Sequence, residues 1–377
     1  MKKILFISHD ASRTGAPLVL LHLLKWLNKN IKNIQLDVLL INGGTIASDF
    51  KKESTNTYVF SESHKPLKFS QVIAKKIFSK LGIKQKEKKV LFFENVASNN
   101  YDLIYANSIV SLPVAVNIKK NCQSSKLLVH VHELNTIIKM VIPAFSNYIK
   151  YVDKYIAVSN QVKENLVVNW EINTNTIDVT YPFSLFKFNK SNIFKESKIF
   201  TVGASGNAHW RKGDDLFIQV ASYVHKNYPT AKIKFNWVGN TINNKFIIEA
   251  DIDKLGLNEM VSFVGEQTNP INMYKNFDVF LLTSREDPFP LVCIEAAYLK
   301  KPIICFEKAS GTAEVINEGG GFVVPYLDIV AMGEKIMLYY KNEEKLIEDG
   351  IKAQELFTNF TPENICPQLY NIIEKTL

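Results

Sequence analysis

Short apolar runs alternate with longer amphipathic stretches along most of the 377 residues. A parallel strand buried on both faces is such an apolar run, and the helix that crosses back over the sheet supplies the amphipathic stretch between two strands. The pattern therefore predicts an α/β protein with parallel sheets and crossover helices. The predicted strands are 3–8, 34–41, 57–60, 102–106, 126–131, 154–158, 176–180, 198–202, 232–238, 260–264, 279–282, 302–306 and 322–324.

The alternation is interrupted once, at the polar and basic sequence SLFKFNKSNIFKES. A chain of this length, with 46% hydrophobic residues, can form two cores. We expect two Rossmann-like doubly wound domains, 1–185 and 198–360, joined by a linker at 186–197 and facing each other across a cleft. Ligands of such sheets bind at the carboxyl ends of the strands. The last segment, 361–377, is predicted to be a helix that returns to the first domain.

Composition and cysteine usage indicate the compartment. No run of about 18 apolar residues could span a bilayer, and the start, Met1-Lys2-Lys3 before a short apolar run, is unlike a secretory signal. The four cysteines are scattered without CxxC spacing, which favours buried thiols over disulfides or metal ligands. A cytoplasmic protein is expected.

The densest positive stretch is KKIFSKLGIKQKEKK, from Lys75 to Lys89, in a chain with a formal net charge of +8. On a helix, its apolar residues lie near one side with lysines around them. It is either a solvated helix with an ordinary buried stripe or a surface that contacts anionic lipid at the inner face of the plasma membrane. No helix-turn-helix, RNP or zinc-finger pattern accompanies the charge, so nucleic acid is not expected as a partner.

A strand and a helix meet in the sequence TSREDPFPLVCIEAA, residues 283–297. Pro290 suits the first position of a helix, where its missing N–H would have no intrahelical partner. The free amides of Leu291 and Val292, with the positive end of the helix, then form an anion site, most simply for phosphate.

Three carboxylates lie around this anion site. Glu295 is little more than one helical turn further in, and its side chain leans back toward the helix N-terminus, where it could accept hydrogen bonds from sugar hydroxyls. The combination suits a nucleotide that carries both phosphates and hydroxyls. Alternatively, Glu286 or Asp287 only caps the helix and Glu295 is a solvated helix residue.

A second candidate loop is TVGASGNAHWRKGDDLF, residues 201–217. Gly203 and Gly206 allow close backbone approach, while Arg211 and Lys212 place two cations where the next helix begins. The loop is neither GxGxxG nor a Walker loop, which argues against redox dinucleotides and P-loop hydrolysis. The two cations could equally be an ordinary surface pair.

Seven ordered segments together resemble one family. They are Ser8 to Gly15 with Ala16; His132-Glu133; IAVSNQV at 156–162; Arg211-Lys212-Gly213; FNWVGN and VSFVGE; DVFLLTSREDPFPLVCIEA; and SGTAEVINEGGGFVV. The chain is similar to retaining nucleotide-sugar glycosyltransferases with the GT-B fold, the glycosyl transferases group 1 family. The resemblance covers most of the chain.

The resemblance implies roles for the acidic pair. In the family, two acidic residues are separated by seven others, as Asp287 and Glu295 are here. The first lies near the donor sugar and is usually Glu, so Glu286 competes with Asp287 for that role. The second binds the ribose hydroxyls. The prolines at 288 and 290 have no amide to donate, which leaves Phe289, Leu291 and Val292 for backbone contacts with the donor.

The family's diphosphate-binding lysine corresponds to Lys212. Its usual arginine falls near Asn207 here, so Arg211 is expected to supply that charge. His132 matches the family histidine near the reacting sugar, with His130 as the competing candidate and a core histidine as the alternative for either.

The remaining donor-binding residues follow from the same resemblance. Gly15 is expected to let the first loop approach the donor, and Gly239 and Gly265 to line the base pocket. Glu314, in SGTAEV, resembles a further acidic position near the donor. No metal ligand set is expected, because Asp251-Ile252-Asp253 lies in a helical context.

The resemblance implies a retaining, metal-independent glycosyltransferase without a cofactor. It would move a sugar from a nucleotide-diphosphate sugar to a glycan or lipid-linked acceptor in surface polysaccharide or glycolipid synthesis. Two alternatives share the architecture: a sugar-nucleotide epimerase, and a non-catalytic sugar-nucleotide-binding scaffold subunit. Donor-dependent transfer to a glycan separates the first function from both others.

Overall fold

A computed structural model describes residues 1–63, 88–185, 199–242 and 244–377. Within these ranges every predicted strand is present, most with ends within two residues of the prediction. The basic stretch before Lys88 and the predicted linker at 186–197 lie outside the described residues. Their interpretations therefore stay predictions.

The first sheet is parallel and has seven strands in the described part of the chain, in the order β3-β2-β1-β4-β5-β6-β7. The order reverses at β1, which pairs with both β2 and β4 in parallel. The strands are β1 Lys2–Ser8, β2 Ile34–Leu40, β3 Asn56–Val59, β4 Leu103–Asn107, β5 Lys126–Val131, β6 Lys154–Ala157 and β7 Ile177–Val179.

The second sheet is also parallel, with six strands among the described residues in the order β10-β9-β8-β11-β12-β13. Its switch point is β8, which pairs with β9 and β11. The strands are β8 Phe200–Ser205, β9 Ile233–Val238, β10 Val261–Phe263, β11 Val279–Leu282, β12 Ile303–Phe306 and β13 Gly321–Val324. Both sheets are thus doubly wound, as the apolar alternation predicts.

Helices fill the intervals between the strands. They are α1 Gly15–Asn30, α2 Ala47–Lys52, α3 Phe60–Ser63, α4 Lys88–Ala97, α5 Leu112–Asn121, α6 Asn135–Val141, α7 Ser146–Ile149, α8 Asn160–Trp170, α9 Asp214–Asn227, α10 Lys245–Lys254, α11 Ile271–Tyr274, α12 Leu291–Tyr298, α13 Thr312–Ile316, α14 Ile329–Lys341, α15 Glu343–Phe357 and α16 Pro362–Thr376. Every helix in the described ranges is too short or too polar to span a lipid bilayer.

The chain divides into two compact units. The first comprises Met1–Ala157, Asn165–Thr180 and Cys366–Leu377, and the second comprises Val158–Glu164 and Tyr181–Ile365. The end of the chain therefore groups with the first sheet, where the Tyr370 ring lies 6.2 Å from that of Trp26.

Each sheet is buried because its strands are apolar on both faces. In β11 and β12 all residues are buried. In the second unit, Phe217 of α9 packs against Phe235 and Trp237 of β9 at ring distances of 5.5 and 5.4 Å. All four cysteines are buried free thiols, which confirms the sequence interpretation.

One turn fixes how β8 leads into α9. Gly213, directly before α9, has φ of 70°, and a Cβ there would lie 2.0 Å from the carbonyl oxygen of Thr283. Only glycine combines this left-handed backbone with such a close approach. The loop after β8 is thereby held against the loop after β11.

Gly213→Ala should be distinctly more destabilising than Gly256→Ala. Gly256 has nearly the same φ, 68°, but nothing lies within 4 Å of its would-be Cβ. We expect a loss of about 1 kcal/mol at 256, from backbone strain alone, and about 3 kcal/mol at 213, where the clash adds to it. Urea denaturation of both variants measures the difference. Equal losses would show that the contact with Thr283 is unimportant.

Candidate active site

Two loops of the second unit meet at the carboxyl ends of neighbouring strands. Arg211 and Lys212 follow β8, and Asp287 follows β11. The Arg285 amide donates to the Arg211 carbonyl at 2.8 Å, and the Thr283 hydroxyl donates to the Lys212 carbonyl at 3.2 Å. The cations and the carboxylate predicted from separate motifs are therefore brought together.

The Asp287 carboxylate lies at the centre of an ion cluster. Its Oδ1 accepts a hydrogen bond from Arg211 Nη1 at 3.0 Å, and its Oδ2 accepts from Lys212 Nζ and, at 3.3 Å, from Ser284 Oγ. Asp287 is 5% exposed. Arg211 also donates to the Glu286 carbonyl at 3.1 Å, so Glu286 contributes its backbone here.

The charges in this cluster shift the pKa values of their neighbours. Burial alone would raise the pKa of Asp287, but the charges of Lys212 and Arg211 and their hydrogen bonds hold it below its ordinary value. Burial lowers the pKa of Lys212, while the charge of Asp287 opposes that change. Two cations share one anion, so the cluster keeps an excess positive charge.

The predicted anion site lies at the start of α12. The helix begins at Leu291 with Pro290 as its N-cap, one residue later than predicted. Leu291 and Val292 are half-buried, and the first amides of a helix have no intrahelical acceptor. The Phe289 ring, in contrast, is buried, and it stacks on that of Phe360 at 5.3 Å. Phe289 can therefore offer a ligand its backbone, while its side chain belongs to the core.

Glu295 lies on α12 in a strongly desolvated position. Its Oε1 accepts a hydrogen bond from Ser184 Oγ at 3.2 Å. Burial raises the pKa of Glu295 to about 7, and the hydrogen bond from Ser184 opposes the rise only in part. Sequence reasoning missed Ser184, because it precedes an apparently featureless linker.

Three glycines line the carboxyl ends of β8, β9 and β10. The Gly239 amide donates to the Gly265 carbonyl at 3.0 Å, and a Cβ on Gly239 would lie 2.1 Å from the Gly206 carbonyl oxygen. Gly265, with φ of 75°, has no atom within 4 Å of its would-be Cβ. Gly239 is therefore needed for close packing, whereas Gly265 borders open space.

Glu314 has a different environment from the other acidic candidates. Its two carboxylate oxygens accept hydrogen bonds from the amides of Asn160 and Gln161, at 3.1 and 2.8 Å, and from Tyr181 Oη at 2.7 Å. It thereby satisfies the free amides at the start of α8. This capping accounts for the residue structurally, and a role at the donor stays a prediction.

In the first unit, the histidine candidates lie at the end of β5, with His130 inside the strand and His132 directly after it. His130 is 1% exposed, and its Nδ1 is hydrogen-bonded to Tyr105 Oη at 2.7 Å. The His132 ring lies against it at a tilt of 43°, with the two ring centroids 4.2 Å apart. Its amide donates to the buried Glu133 carboxylate at 2.9 Å. Gly15 is exposed at the first position of α1.

Sequence reasoning also missed a second ion pair, which joins the loop after β11 to α9. Arg285 binds Asp215 through two hydrogen bonds, at 2.8 and 2.7 Å, and its guanidinium lies 5.7 Å from the Trp210 ring centroid. The exposed Asn207, at the position expected for the family arginine, leaves that place without a cation.

No group of three His, Cys, Asp or Glu side chains in the described ranges could hold a metal ion. Asp251 and Asp253 are exposed on α10, as their helical context predicts. Metal independence of the reaction stays a prediction.

Asp287→Asn should destabilise the second unit by about 3 kcal/mol, because it leaves Lys212 and Arg211 desolvated without a counter-charge. Asp287→Glu keeps the charge and should recover at least half of the loss. Urea denaturation at pH 7 measures both. A loss in the Asn variant no larger than that in the Glu variant would contradict the importance of the ion cluster.

Glu295→Gln should change the pH dependence of stability. Because the folded pKa of Glu295, about 7, lies above its unfolded value, the native state binds the extra proton between these pKa values. The wild type should therefore lose stability, relative to the variant, as the pH rises from 5 to 8, by about 2 kcal/mol. Melting temperatures at both pH values test this. A difference that does not vary with pH would contradict the raised pKa.

Comparison with known proteins finds a family match in the second unit. Residues 185–355 match the family model "Glycosyl transferases group 1". The capsular polysaccharide biosynthesis glycosyltransferase CapM of Staphylococcus aureus is 28% identical over 207 residues, 52% of this chain and 52% of CapM. The poly(ribitol-phosphate) alpha-N-acetylglucosaminyltransferase of Staphylococcus aureus is 27% identical over 205 residues, 52% of this chain and 40% of that protein. The chain thus spans about half the length of these curated relatives.

The fold of the whole chain also has solved counterparts. HepE of Anabaena, crystallised in complex with UDP-glucose, superimposes with a TM-score of 0.80 at 20% identity, over 100% of both chains. A glycosyltransferase from Rickettsia africae superimposes with a TM-score of 0.74 at 18% identity, over 100% of this chain and 98% of the other. The chain therefore has the GT-B fold of two Rossmann-like units, and residues 185–355 of its second unit match the glycosyl transferases group 1 family model.

Proposed function

We propose that the chain is a glycosyltransferase that moves a sugar from a nucleotide-diphosphate sugar to a glycan or lipid-linked acceptor in surface polysaccharide or glycolipid synthesis. The observation that carries this proposal is the ion cluster of Arg211, Lys212 and Asp287 beside the N-terminus of α12, within the matched domain. The family match and the named activities of the relatives support the same class of reaction.

The donor diphosphate is the group that the cluster would bind. Its negative charge matches the excess positive charge of Lys212 and Arg211 and the free amides at the start of α12. Glu295 would then accept hydrogen bonds from the ribose, as the resemblance implies, and the open backbone at Gly265 would face the base. The nucleotide sugar is a substrate here, and no separate cofactor is proposed.

The bond between the anomeric carbon and the donor phosphate oxygen breaks in this reaction. The electron pair stays on the diphosphate, where Lys212, Arg211 and the helix amides stabilise it. An acceptor hydroxyl forms the new bond on the same face of the sugar, and its proton passes to the departing phosphate oxygen. Configuration is retained, and the cations of the site take the part that a metal ion plays elsewhere.

The acceptor would be bound by the first unit. A lipid-linked acceptor would bring the protein to the cytoplasmic face of a membrane, as the sequence interpretation expects. The basic stretch that would make this contact lies largely outside the described residues, so the membrane contact rests on the charge pattern alone.

The first experiment is thermal-shift titration with UDP, GDP, ADP, UDP-glucose, UDP-N-acetylglucosamine and GDP-mannose. A ligand at about 100 times its Kd should stabilise the folded protein by about 2.7 kcal/mol. One nucleotide family should stabilise the wild type and not Glu295→Ala. If no nucleotide stabilises the folded wild type, the result favours a non-catalytic scaffold over a glycosyltransferase.

Lys212→Ala should lower kcat/KM for transfer by a factor of about 100 to 1,000, since it removes a cation from the developing phosphate charge. Lys245→Ala, at an exposed lysine of α10, is the matched control and should leave transfer unchanged. EDTA should also leave the rate unchanged, and NMR of the product should show the donor's anomeric configuration. Release of free nucleoside diphosphate without any need for an acceptor would instead indicate an epimerase.

A further inference from the structure

The Glu295 carboxylate has a single side-chain donor among the described residues. Ser184 Oγ donates to its Oε1 at 3.2 Å, while Oε2 accepts no hydrogen bond from these residues. Ser184 is 4% exposed, so water cannot readily replace its hydroxyl. The contact joins a buried residue to the side chain that the proposed function gives to the ribose of the donor.

The backbone of Ser184 is fixed relative to α12. Its amide donates to the Phe360 carbonyl at 3.2 Å, and Tyr298 Oη, at the end of α12, donates to the same carbonyl at 3.3 Å. The Phe360 ring stacks at 5.3 Å on that of Phe289, which lies just before α12. Phe360 thus ties Ser184 to both ends of the helix that carries Glu295. The hydroxyl therefore meets the carboxylate at a fixed place.

A donor at this place has two effects on the carboxylate. By bonding to Oε1, it fixes the rotation of the group and leaves Oε2 for a ligand. It also favours the charged form, since burial raises the pKa of Glu295 to about 7 and the Ser184 hydroxyl opposes that rise. An ionised carboxylate accepts hydrogen bonds on both oxygens, whereas a protonated one has a proton of its own to place.

No charged neighbour has the same effects. The titratable side chains facing Glu295, or on elements packed against α12, are Tyr274 of α11, Cys293 of α12, Cys305 of β12, and Lys345 and Asp349 of α15. Burial raises the pKa values of the tyrosine and both thiols, so all three are neutral near pH 7. Lys345 and Asp349 pair with each other at 3.0 Å. Among the described residues, the Ser184 hydroxyl is the group that offsets the cost of ionising Glu295.

We propose that Ser184 is a positioning residue for the donor nucleotide, whose hydroxyl orients the Glu295 carboxylate and favours its ionised form for binding the ribose hydroxyls. The inference rests on the proposed function, which supplies the nucleotide. Without this hydroxyl, the carboxyl group would rotate more freely and would be more protonated at neutral pH. Nucleotide binding would then be weaker, and it would depend more strongly on pH.

Two variants separate positioning from packing. Ser184→Ala removes the hydroxyl and leaves Glu295 in place. Ser125→Ala is the matched control, because Ser125 is 1% exposed and its hydroxyl also donates one buried hydrogen bond, to the Tyr101 carbonyl at 2.6 Å in the first unit. A general loss of buried hydrogen bonding should affect both variants alike.

Nucleotide binding is measured by isothermal titration calorimetry with UDP, GDP and ADP. For the one that binds the wild type most tightly, Ser184→Ala should raise Kd about tenfold at pH 7 and only about twofold at pH 8.5, where Glu295 ionises more readily. Ser125→Ala should bind as the wild type does. The 2′,3′-dideoxy analogue lacks the ribose hydroxyls, so its Kd should not respond to Ser184→Ala. A rise in Kd that is the same at both pH values and for both nucleotides would overturn the proposal.

A second measurement needs no nucleotide. Because the folded pKa of Glu295 lies above its unfolded value, the stability that the bound proton contributes is present at low pH and is lost as the pH rises through the folded pKa. Removal of the Ser184 hydroxyl raises the folded pKa further, so in Ser184→Ala this loss should continue to a higher pH. Melting temperatures from pH 5 to 9, each compared with the same chain carrying Glu295→Gln, measure the shift. Coincident profiles of Ser184→Ala and wild type would overturn the proposal.

The proposed function and the role of Ser184 can fail separately. If no nucleoside diphosphate binds the wild type but the stability profile of Ser184→Ala is shifted, the proposed function is contradicted and the action of Ser184 on Glu295 is supported. If a nucleotide binds and Ser184→Ala changes neither Kd nor the profile, the proposed function stands and the role of Ser184 is overturned.

Discussion

The second unit depends on the ion cluster that joins the loop after β8 to the loop after β11. Asp287 is desolvated, and its charge is sustained only because Lys212 and Arg211 contact it on two sides. The backbone reinforces the same junction, since Gly213 packs against the Thr283 carbonyl. The carboxylate neutralises charge at the start of α9, and the two cations offset the cost of burying the carboxylate.

Because residue 287 is an aspartate, its carboxylate competes with any bound anion for Lys212. Its short side chain keeps the carboxylate close to its own backbone, where it also accepts from Ser284 Oγ. Three donors, Arg211, Lys212 and Ser284, therefore share its two oxygens. A ligand phosphate that attracted Lys212 would have to compete with Asp287, so the carboxylate both positions the lysine and moderates its affinity for anions.

The strands could be predicted from the sequence, because apolar runs follow directly from burial on both faces of a sheet. The strand order, with its switch points at β1 and β8, was not predicted. The acidic pair and the two cations were predicted as site residues from local motifs. Their mutual contacts were not, since Lys212 and Asp287 are 75 residues apart and only the sheet order makes β8 and β11 neighbours. Glu314 is a case in which a motif predicts more than the structure shows. Its motif indicates a ligand, but its carboxylate accepts hydrogen bonds from amides at the start of α8.

The two sheets have the same doubly wound architecture, but the side chains at their carboxyl edges differ in charge. At the edge of the second sheet, cations and helix amides are concentrated around a single carboxylate, which suits phosphate. At the edge of the first sheet, burial keeps His130 and His132 neutral, and the nearby carboxylate of Glu133 is held by amides and a hydroxyl. Holding two cations around one carboxylate and keeping two imidazoles neutral make incompatible demands on one set of side chains, and in this chain each demand is met on a different sheet.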